Sequence, residues 1–301
     1  GVTTLKAPNN WTSYLVSKDN DGKLSNTDFR ALDKDPNARQ KPGYVQFIVK
    51  NQTSKYDIAA PTEKVAVTDP ANVTEDDLAK IKEKLQLEYN KNNDDANISK
   101  DSPVTDKDSK IKSLTKDADG NLVVTYTDGS TDKRPLSEFV TLDKQPAIEA
   151  VKKAAEAQIT AINNTPNATD AEKAAAIAKV NADKEKALAE IAKPEVTTKE
   201  AVDAAKTAGT GEIAKENPVA KEAAKKAIDD ALKAKEAEIA GRDDLTNEEK
   251  DAAKAEAKKL ADAQLAEIAK QPDVAATPEA AATAQTAVDG AKDKGVADVT
   301  A

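Results

Sequence analysis

The hexapeptide Leu188-Ala189-Glu190-Ile191-Ala192-Lys193 returns unchanged as Leu265-Ala266-Glu267-Ile268-Ala269-Lys270. Each copy ends a segment of helical composition, and the two segments also open alike. The openings are Thr169-Asp170-Ala171-Glu172-Lys173 and Thr246-Asn247-Glu248-Glu249-Lys250. Thr followed three residues later by Glu is the capping-box pattern of a helix start. Both ends of the match have the same offset of 77, which predicts two helices of equal length in a tandem repeat.

Further matches extend each repeat to three helices. Lys152-Lys153-Ala154 matches Lys225-Lys226-Ala227 at an offset of 73, which predicts four additional residues in the first helix of the second copy. In the third helix, Ala201-Val202-Asp203-Ala204-Ala205-Lys206 matches Ala287-Val288-Asp289-Gly290-Ala291-Lys292 at an offset of 86. This places inserted residues within 275–286. The short connections predict antiparallel neighbours and therefore three-helix bundles.

The starts of the two repeats are predicted from proline. Pro146 and Pro218 each stand where a first helical residue is expected, and Asn217 is a suitable cap before the second. The first repeat would then cover residues 144–217 and the second residues 218–301.

Aromatic residues divide the chain. All nine lie at or before Phe139, so the first half has the large side chains of β-rich cores and the second half packs mainly Ala with some Leu, Ile and Val. The sequence therefore predicts a multidomain chain, α+β and then all-α, with β-rich N-terminal modules followed by tandem antiparallel three-helix bundles. The two N-terminal parts are residues 1–60, a β-rich segment that is either a complete domain or the end of one, and residues 61–143, a small α+β module.

Composition excludes several functions. The net charge of −9 argues against nucleic acid as a partner, since phosphate binding needs clustered Lys and Arg. Cys, His and Met are absent, which removes the thiolate nucleophile, the commonest acid–base group and the commonest zinc ligands. No apolar run approaches the ~20 residues that span a bilayer. We therefore expect no enzymatic activity, no small-molecule substrate, no membrane insertion and no required cofactor.

Residues 17–28 have the spacing of a twelve-residue calcium loop and resemble EF-hand and dockerin loops. Oxygen ligands are expected at positions 1, 3, 5 and 12. Those positions hold Ser17, Asp19, Asp21 and Asp28. In this interpretation Phe29 and Leu32 face inward on a following helix. The other interpretation is a surface turn at Asp21-Gly22, and both stay open.

The segment from residue 61 to 143 predicts a helix against a β-hairpin. Thr74 is the expected cap of a helix whose apolar stripe runs from Leu78 to Tyr89. A strand is predicted at 65–67, before this helix. After it, strands at 111–116 and 121–126 are separated by a turn, and Leu122, Val124 and Tyr126 share one face.

These residues resemble the Rib-type or "YPDG" modules of Gram-positive surface proteins. The resemblance rests on Asp69-Pro70 and Val73-Thr74 before the helix, and on the hairpin from Asp119 to Ser130. The usual Tyr-Pro-Asp-Gly is Tyr126-Thr127-Asp128-Gly129 here, so the proline is missing. The helical half is similar to the Ala/Lys/Glu-rich three-helix modules of Ebh-like and SasC-like wall-anchored proteins of staphylococci and streptococci.

The two resemblances imply a function. They suggest a segment of an extracellular, cell-wall-anchored adhesin that lacks its own signal peptide and wall anchor. The helical repeats would form an elongated stalk that presents binding modules to host matrix or to other cells. Its partner would be a host extracellular-matrix or serum protein, or another copy on a neighbouring cell. The alternatives are that the three-helix units themselves bind a host protein, or that the chain is a hydrolase with accessory modules.

Overall fold

The computed structural model describes residues 51–89 and 102–301, together with the backbone of three strands at 13–18, 24–31 and 44–48. The chain divides into two units, residues 1–141 and residues 142–301. The described part of the first unit is rich in strands, and the second consists almost entirely of helices. The predicted class, α+β followed by all-α, is confirmed.

The N-terminal strands form an antiparallel sheet. They are β1 (Ser13–Lys18), β2 (Leu24–Ala31) and β3 (Tyr44–Ile48). β1 lies in the centre and pairs with both of the others. The helix predicted after the candidate calcium loop is wrong, because Phe29 lies in β2 opposite Val16. The backbone N–H and C=O groups of this segment bond to β1, so the segment is a strand and not a helix.

The α+β module follows, and it consists of short elements. In chain order they are α1 (Gln52–Lys55), β4 (Tyr56–Ile58), β5 (Val65–Val67), α2 (Glu75–Lys84), β6 (Leu87–Tyr89), β7 (Ser102–Pro103), α3 (Lys107–Lys110), β8 (Ile111–Lys116), β9 (Asn121–Tyr126), β10 (Thr131–Pro135), a 3-10 turn (Leu136–Glu138) and β11 (Val140–Leu142). One sheet has the order β10-β9-β8, a second has the order β4-β6-β7, and β5 pairs with β11. The predicted strand at 65–67 and the predicted hairpin are confirmed.

The module has one apolar core. Leu122, Val124 and Tyr126 alternate along β9 and are fully buried, which confirms that these side chains share an inward face. Ile58 of β4 and Leu87 of β6 belong to the same core. The core therefore includes residues before position 61, where the sequence suggested that this module begins.

Helix α2 begins as predicted and ends early. Thr74 accepts a hydrogen bond from the Asp77 N–H and the Asp77 carboxylate accepts one from the Thr74 N–H, which completes a capping box. The helix stops at Lys84, and Tyr89, expected on its apolar stripe, lies in β6 instead. Two features end the helix here. Lys107 Nζ donates to three carbonyl oxygens of the last turn and the residue after it, and β6 pairs with β4 directly afterwards.

Two three-helix bundles make up residues 142–301. The first repeat contains α4 (Gln145–Asn163), α5 (Asp170–Ala192) and α6 (Lys199–Ile213). After strand β12 (Asn217–Pro218), the second contains α7 (Glu222–Ala240), α8 (Asn247–Ala269) and α9 (Pro278–Thr300), with strand β13 (Val274–Ala275) between the last two. Each helix packs against both others of its bundle. Both predicted capping boxes, at Thr169 and Thr246, are present.

The first two helices of one repeat align with those of the other at a single sequence offset, without insertions. Helices α4 and α7 both have 19 residues, and α5 and α8 both have 23. Buried Val151 corresponds to buried Ile228 at the same offset that relates the helix ends. The predicted four-residue insertion in α7 is therefore wrong. A shift of about one helical turn brings similar side chains together in an Ala/Lys-rich helix, so the Lys-Lys-Ala match reflected composition and not register.

The start of the second repeat also differs from the prediction. Pro218 lies in β12, and α7 begins four residues later, at Glu222. Asn217 is not the cap of that helix. Its side-chain amide donates to the carbonyl oxygens of Ala214 and Ala275. Pro146 does lie in the first turn of α4, as predicted.

The third helices differ in length, and the additional residues of α9 lie within 275–286, where the sequence predicted an insertion. The helix caps Thr198 and Thr277 are 79 positions apart in sequence, whereas Gly209 and Gly295 are 86 positions apart. The distance from the cap to the glycine is therefore seven residues longer in the second repeat. Helix α9 therefore carries seven additional residues near its start. The two glycines mark equivalent close contacts. A Cβ at Gly209 would meet Ala187 and Val151, and one at Gly295 would meet Gln264 and Ile228, which hold the equivalent positions in the second repeat.

Candidate functional site: the junction between the helical repeats

The candidate calcium ligands lie only in part within the described residues. Ser17 is in β1 and Asp28 is in β2. Asp19 and Asp21 lie outside the described part of the chain, so the calcium hypothesis stays a prediction. Across the described ranges there is no group of three or more acidic side chains that could hold a metal ion.

The motif Tyr126-Thr127-Asp128-Gly129 has a structural role. The Tyr126 hydroxyl donates to the Asp132 carboxylate at 2.5 Å. The Asp128 carboxylate accepts hydrogen bonds from the Ser130 N–H at 2.9 Å and from the Gln52 N–H at 2.7 Å. Gly129 has φ of +85°, a conformation that favours glycine. The motif therefore shapes the tight turn between β9 and β10 and attaches α1 to it.

Thr127 occupies the position where the resembling modules have proline, and both its N–H group and its hydroxyl group donate hydrogen bonds. Its N–H donates to the Lys110 carbonyl oxygen at 2.9 Å, and its hydroxyl donates to the Gln52 side chain at 3.0 Å. Proline has no N–H and could not make the first of these bonds. Thr127 therefore gives the turn an attachment that proline at this position could not make.

Replacing Asp128 by Ala should destabilise the α+β module by about 1 kcal/mol, the usual value for hydrogen bonds to an exposed carboxylate. Partial burial alone would raise the pKa of Asp128, but the hydrogen bonds from Ser130 and Gln52 lower it below its usual range. The stabilisation should therefore be present above the ordinary Asp range and lost as the pH falls through the lowered pKa. Urea unfolding followed by tyrosine fluorescence measures the effect. Asp119→Ala, in the exposed turn before β9, is the control and should have little effect.

A second structured region is the connector, residues 214–221, which leads from α6 to α7 and packs along α5. Within it β12 pairs antiparallel with β13 of the second repeat. The Val219 N–H donates to the Asp273 carbonyl oxygen at 2.8 Å. Val274 of β13 packs against the apolar core of the first bundle. The second repeat therefore contributes a side chain to the core of the first.

Glu172 binds both repeats. Its Oε1 accepts a hydrogen bond from the Thr169 N–H at 3.0 Å and completes the capping box of α5. Its Oε2 accepts from the Lys221 N–H at 2.8 Å and, at 3.4 Å, from the Glu222 N–H. These N–H groups at the start of α7 have no intrahelical partners and carry the positive end of the helix dipole. One carboxylate therefore caps two helices that belong to different repeats.

Lys221 fixes the loop before α9. Its side chain is 8% exposed, and its Nζ donates to the Gln271 carbonyl oxygen at 2.8 Å and to the Asp273 carboxylate at 3.0 Å. The hydrogen bond and the charge of Lys221 lower the pKa of Asp273. Burying an ammonium group is costly unless it is paired in this way. Lys144 is its counterpart in the first repeat, and its Nζ donates to the Lys193 carbonyl oxygen at 3.0 Å.

Side-chain amides hold the connector from two further sides. From α4, Gln158 Nε2 donates to the Glu216 carbonyl oxygen at 2.8 Å and to the Asn217 side chain at 3.1 Å. From α9, Gln285 exchanges two hydrogen bonds with the backbone of Ala220, at 2.8 and 3.0 Å. At the offset of 86 that relates the third helices, Gln285 corresponds to Lys199, the first residue of α6.

The sequence does indicate where each repeat begins, but through the repeat offset and not through the prolines at positions 146 and 218. The offset of the repeated hexapeptide continues before the first helices, where Leu142 corresponds to Val219 and Lys144 to Lys221. Leu142 and Val219 are each buried in the core of their own bundle. Extending the repeat backwards would have placed the start of each repeat at this apolar residue and Lys, and not at a proline.

Fold and junction together define a protein with tandem three-helix repeats that are joined through a structured connector. Residues 143–221 match the model of a protein family described as Domain of Unknown Function (DUF1542). This domain is found in Gram-positive surface proteins and is typical of extracellular ones. The matched range ends at Lys221, so it includes the whole connector.

The other comparisons found nothing similar. Neither the curated proteins nor the solved structures contain a match to the chain. Within the described ranges, no helix has both the length and the apolar character that crossing a membrane requires.

Proposed function

We propose that this chain is a segment of a cell-wall-anchored bacterial adhesin and that its helical repeats act as a spacer. The spacer would present binding modules for attachment to host matrix or to other cells. The chain would have no enzymatic activity, and its partner would be a host matrix or serum protein or another copy on a neighbouring cell. The match of residues 143–221 to a domain of Gram-positive surface proteins supports the extracellular setting.

The observation that carries the spacer proposal is the junction. A spacer keeps its reach only if successive repeats do not turn freely about their connection. Here Glu172 and Gln158 of the first repeat bind main-chain groups of the connector and of α7. Val274 of the second repeat packs on the first core. Hydrogen bonds to backbone from several sides, together with a shared apolar contact, resist hinge motion between the repeats.

The spacer proposal predicts one fixed distance between equivalent points of the two repeats. Ala189 and Ala266 are exposed and occupy the same position in the two copies of the repeated hexapeptide. The chain has no native Cys, so Cys at these two positions allows specific labelling. Single-molecule energy transfer in the full chain should give one narrow distance distribution. A broad or multiple distribution in the wild-type background would contradict the spacer.

A binding panel separates this proposal from the one in which the repeats themselves bind a host protein. The full chain would be tested against immobilised matrix and serum proteins, with and without calcium. Each protein retained would then be tested against the chain with charge reversals on the exposed faces of α5 and α8. Retention that these reversals abolish would favour the repeats as the binding module. Retention that they leave unchanged is expected if binding belongs to other modules.

A further inference from the structure

Two carboxyl groups meet where the connector leaves the first bundle. Asp183 lies on α5 and Glu216 lies in the connector, just before β12. Oδ2 of Asp183 and Oε2 of Glu216 are buried, and neither accepts a hydrogen bond from any donor in the part of the chain that the structure describes. Helix α5 packs against β12, which directly follows Glu216, and the Asp183 carboxyl acts on the pKa of Glu216 through a side-chain hydrogen bond and through its charge. Two buried carboxylates that interact in this way repel each other unless one proton lies between them.

We propose that Asp183 and Glu216 share one proton in the folded protein, and that this proton holds the connector against α5. The junction between the two helical repeats is then stronger at acidic pH than at neutral or alkaline pH. The proton converts two orphaned acceptors into a donor and an acceptor, so the buried oxygens satisfy each other. Its loss leaves two like charges facing each other across the junction.

Among the charged groups around Glu216, the Asp183 carboxyl has the largest effect on its pKa. Helix α5 also contributes Lys179, whose charge favours ionisation of Glu216. From the last turn of α6 and the residues after it, Glu212 and Lys215 pair with each other at 2.7 Å. In the second repeat, Asp273 pairs with Lys221 and is also within the influence of Lys179. Helix α4 contributes the uncharged Gln158.

The net effect on Glu216 has a definite direction. Burial raises its pKa above the ordinary Glu value of 4.5, the Asp183 carboxyl raises it further, and Lys179 offsets only part of this. The folded protein therefore binds the shared proton more tightly than the unfolded chain does. By linkage, the stability of the junction is greatest below the ordinary Glu pKa and is lost as the pH rises through the raised value.

The inference about the shared proton rests on the proposed spacer function and adds a pH dependence to it. A fixed connector transmits the orientation of one repeat to the next, and protonation would make that transmission stiffer in an acidic environment. The physical claim about the proton can nevertheless be tested without reference to adhesion. A junction that is fixed at every pH would overturn the inference and leave the spacer intact.

Amide hydrogen exchange in the full chain tests the inference at the connector itself. The reporters are the N–H groups of Val219 and Ala220, which bond to Asp273 and to Gln285. After correction for intrinsic exchange, their protection should fall between about pH 5 and about pH 8. The limit for a single linked proton is about tenfold per pH unit. Equal protection at both pH values would overturn the proposal.

Two variants replace the shared proton by a permanent donor. In Asp183→Asn the amide can donate to Glu216, and in Glu216→Gln it can donate to Asp183. Glu216→Gln removes the group with the raised pKa and should be protected at about pH 8 as strongly as the wild type is at about pH 5. Asp183→Asn should show a weaker pH dependence than the wild type, because only the burial of Glu216 still raises its pKa. Glu185→Gln, at an exposed position on the same helix, should behave like the wild type. If both amide variants keep the wild-type pH dependence, the pair does not hold the proton.

Discussion

Replacing Gly209 by Ala should destabilise the first three-helix bundle by about 1–3 kcal/mol, the usual cost of overfilling a packed contact. A Cβ at this position would lie inside the van der Waals distance of Ala187 Cβ on α5. The neighbouring atom belongs to a short side chain fixed to the backbone of a helix, so it cannot move aside by a change of rotamer. The clash would separate α5 from α6.

A neighbouring glycine provides the control. Gly211 lies two residues further along α6, and a Cβ there would meet nothing within 4 Å. Gly211→Ala should therefore stabilise the helix by up to about 1 kcal/mol, the difference in helix propensity between the two residues. Opposite signs for the same substitution on one helix would show that packing, and not propensity, selects glycine at position 209.

The distribution of aromatic residues makes the measurement direct. None lies beyond Phe139, so ellipticity at 222 nm reports mainly on the helical repeats and aromatic fluorescence reports on the rest. The Gly209 variant should shift only the first signal in a urea titration. Restoring space with Ala187→Gly should recover part of the loss. If Gly209→Ala is as stable as Gly211→Ala, then α5 and α6 do not approach each other closely at position 209.

The parts of the fold that the sequence predicted are those with a local and periodic cause. The capping boxes at Thr169 and Thr246 need only a hydroxyl and a carboxylate three residues apart. The alternation at Leu122, Val124 and Tyr126 follows from the geometry of a strand. The predictions were wrong where a sequence pattern is compatible with more than one local structure. Tyr89 continues the spacing of a helix, but pairing between β6 and β4 decides its structure.

The junction could not be predicted because its residues act on backbone groups that are distant in sequence. Glu172 and Glu249 hold the same position in the same motif, and both close a capping box. Only Glu172 also has the start of another helix next to it. Gln158 and Gln285 likewise bind carbonyl and N–H groups of the connector, and backbone groups have no sequence signature. Such contacts become visible only when the register of the two repeats is known.

Replacing Glu172 by Ala should cost about 2–4 kcal/mol, whereas Glu249→Ala should cost about 1 kcal/mol. The smaller value is the usual contribution of a helix cap, and the larger one adds hydrogen bonds from two N–H groups to a charged acceptor. The two variants remove the same side chain from equivalent positions. The difference between their effects therefore measures the contribution of the junction, with the loss of the capping box subtracted.

Hydrogen exchange locates the loss. In Glu172→Ala, protection should fall at the start of α5 and also at the start of α7, because the N–H groups of Lys221 and Glu222 lose their acceptor. In Glu249→Ala it should fall at the start of α8 alone. The distance distribution between labels at Ala189 and Ala266 should broaden in the first variant and stay narrow in the second. Equal effects of the two variants would mean that Glu172 is an ordinary helix cap. In that case the fixed geometry between the repeats would depend on the core contact of Val274 and on Lys221.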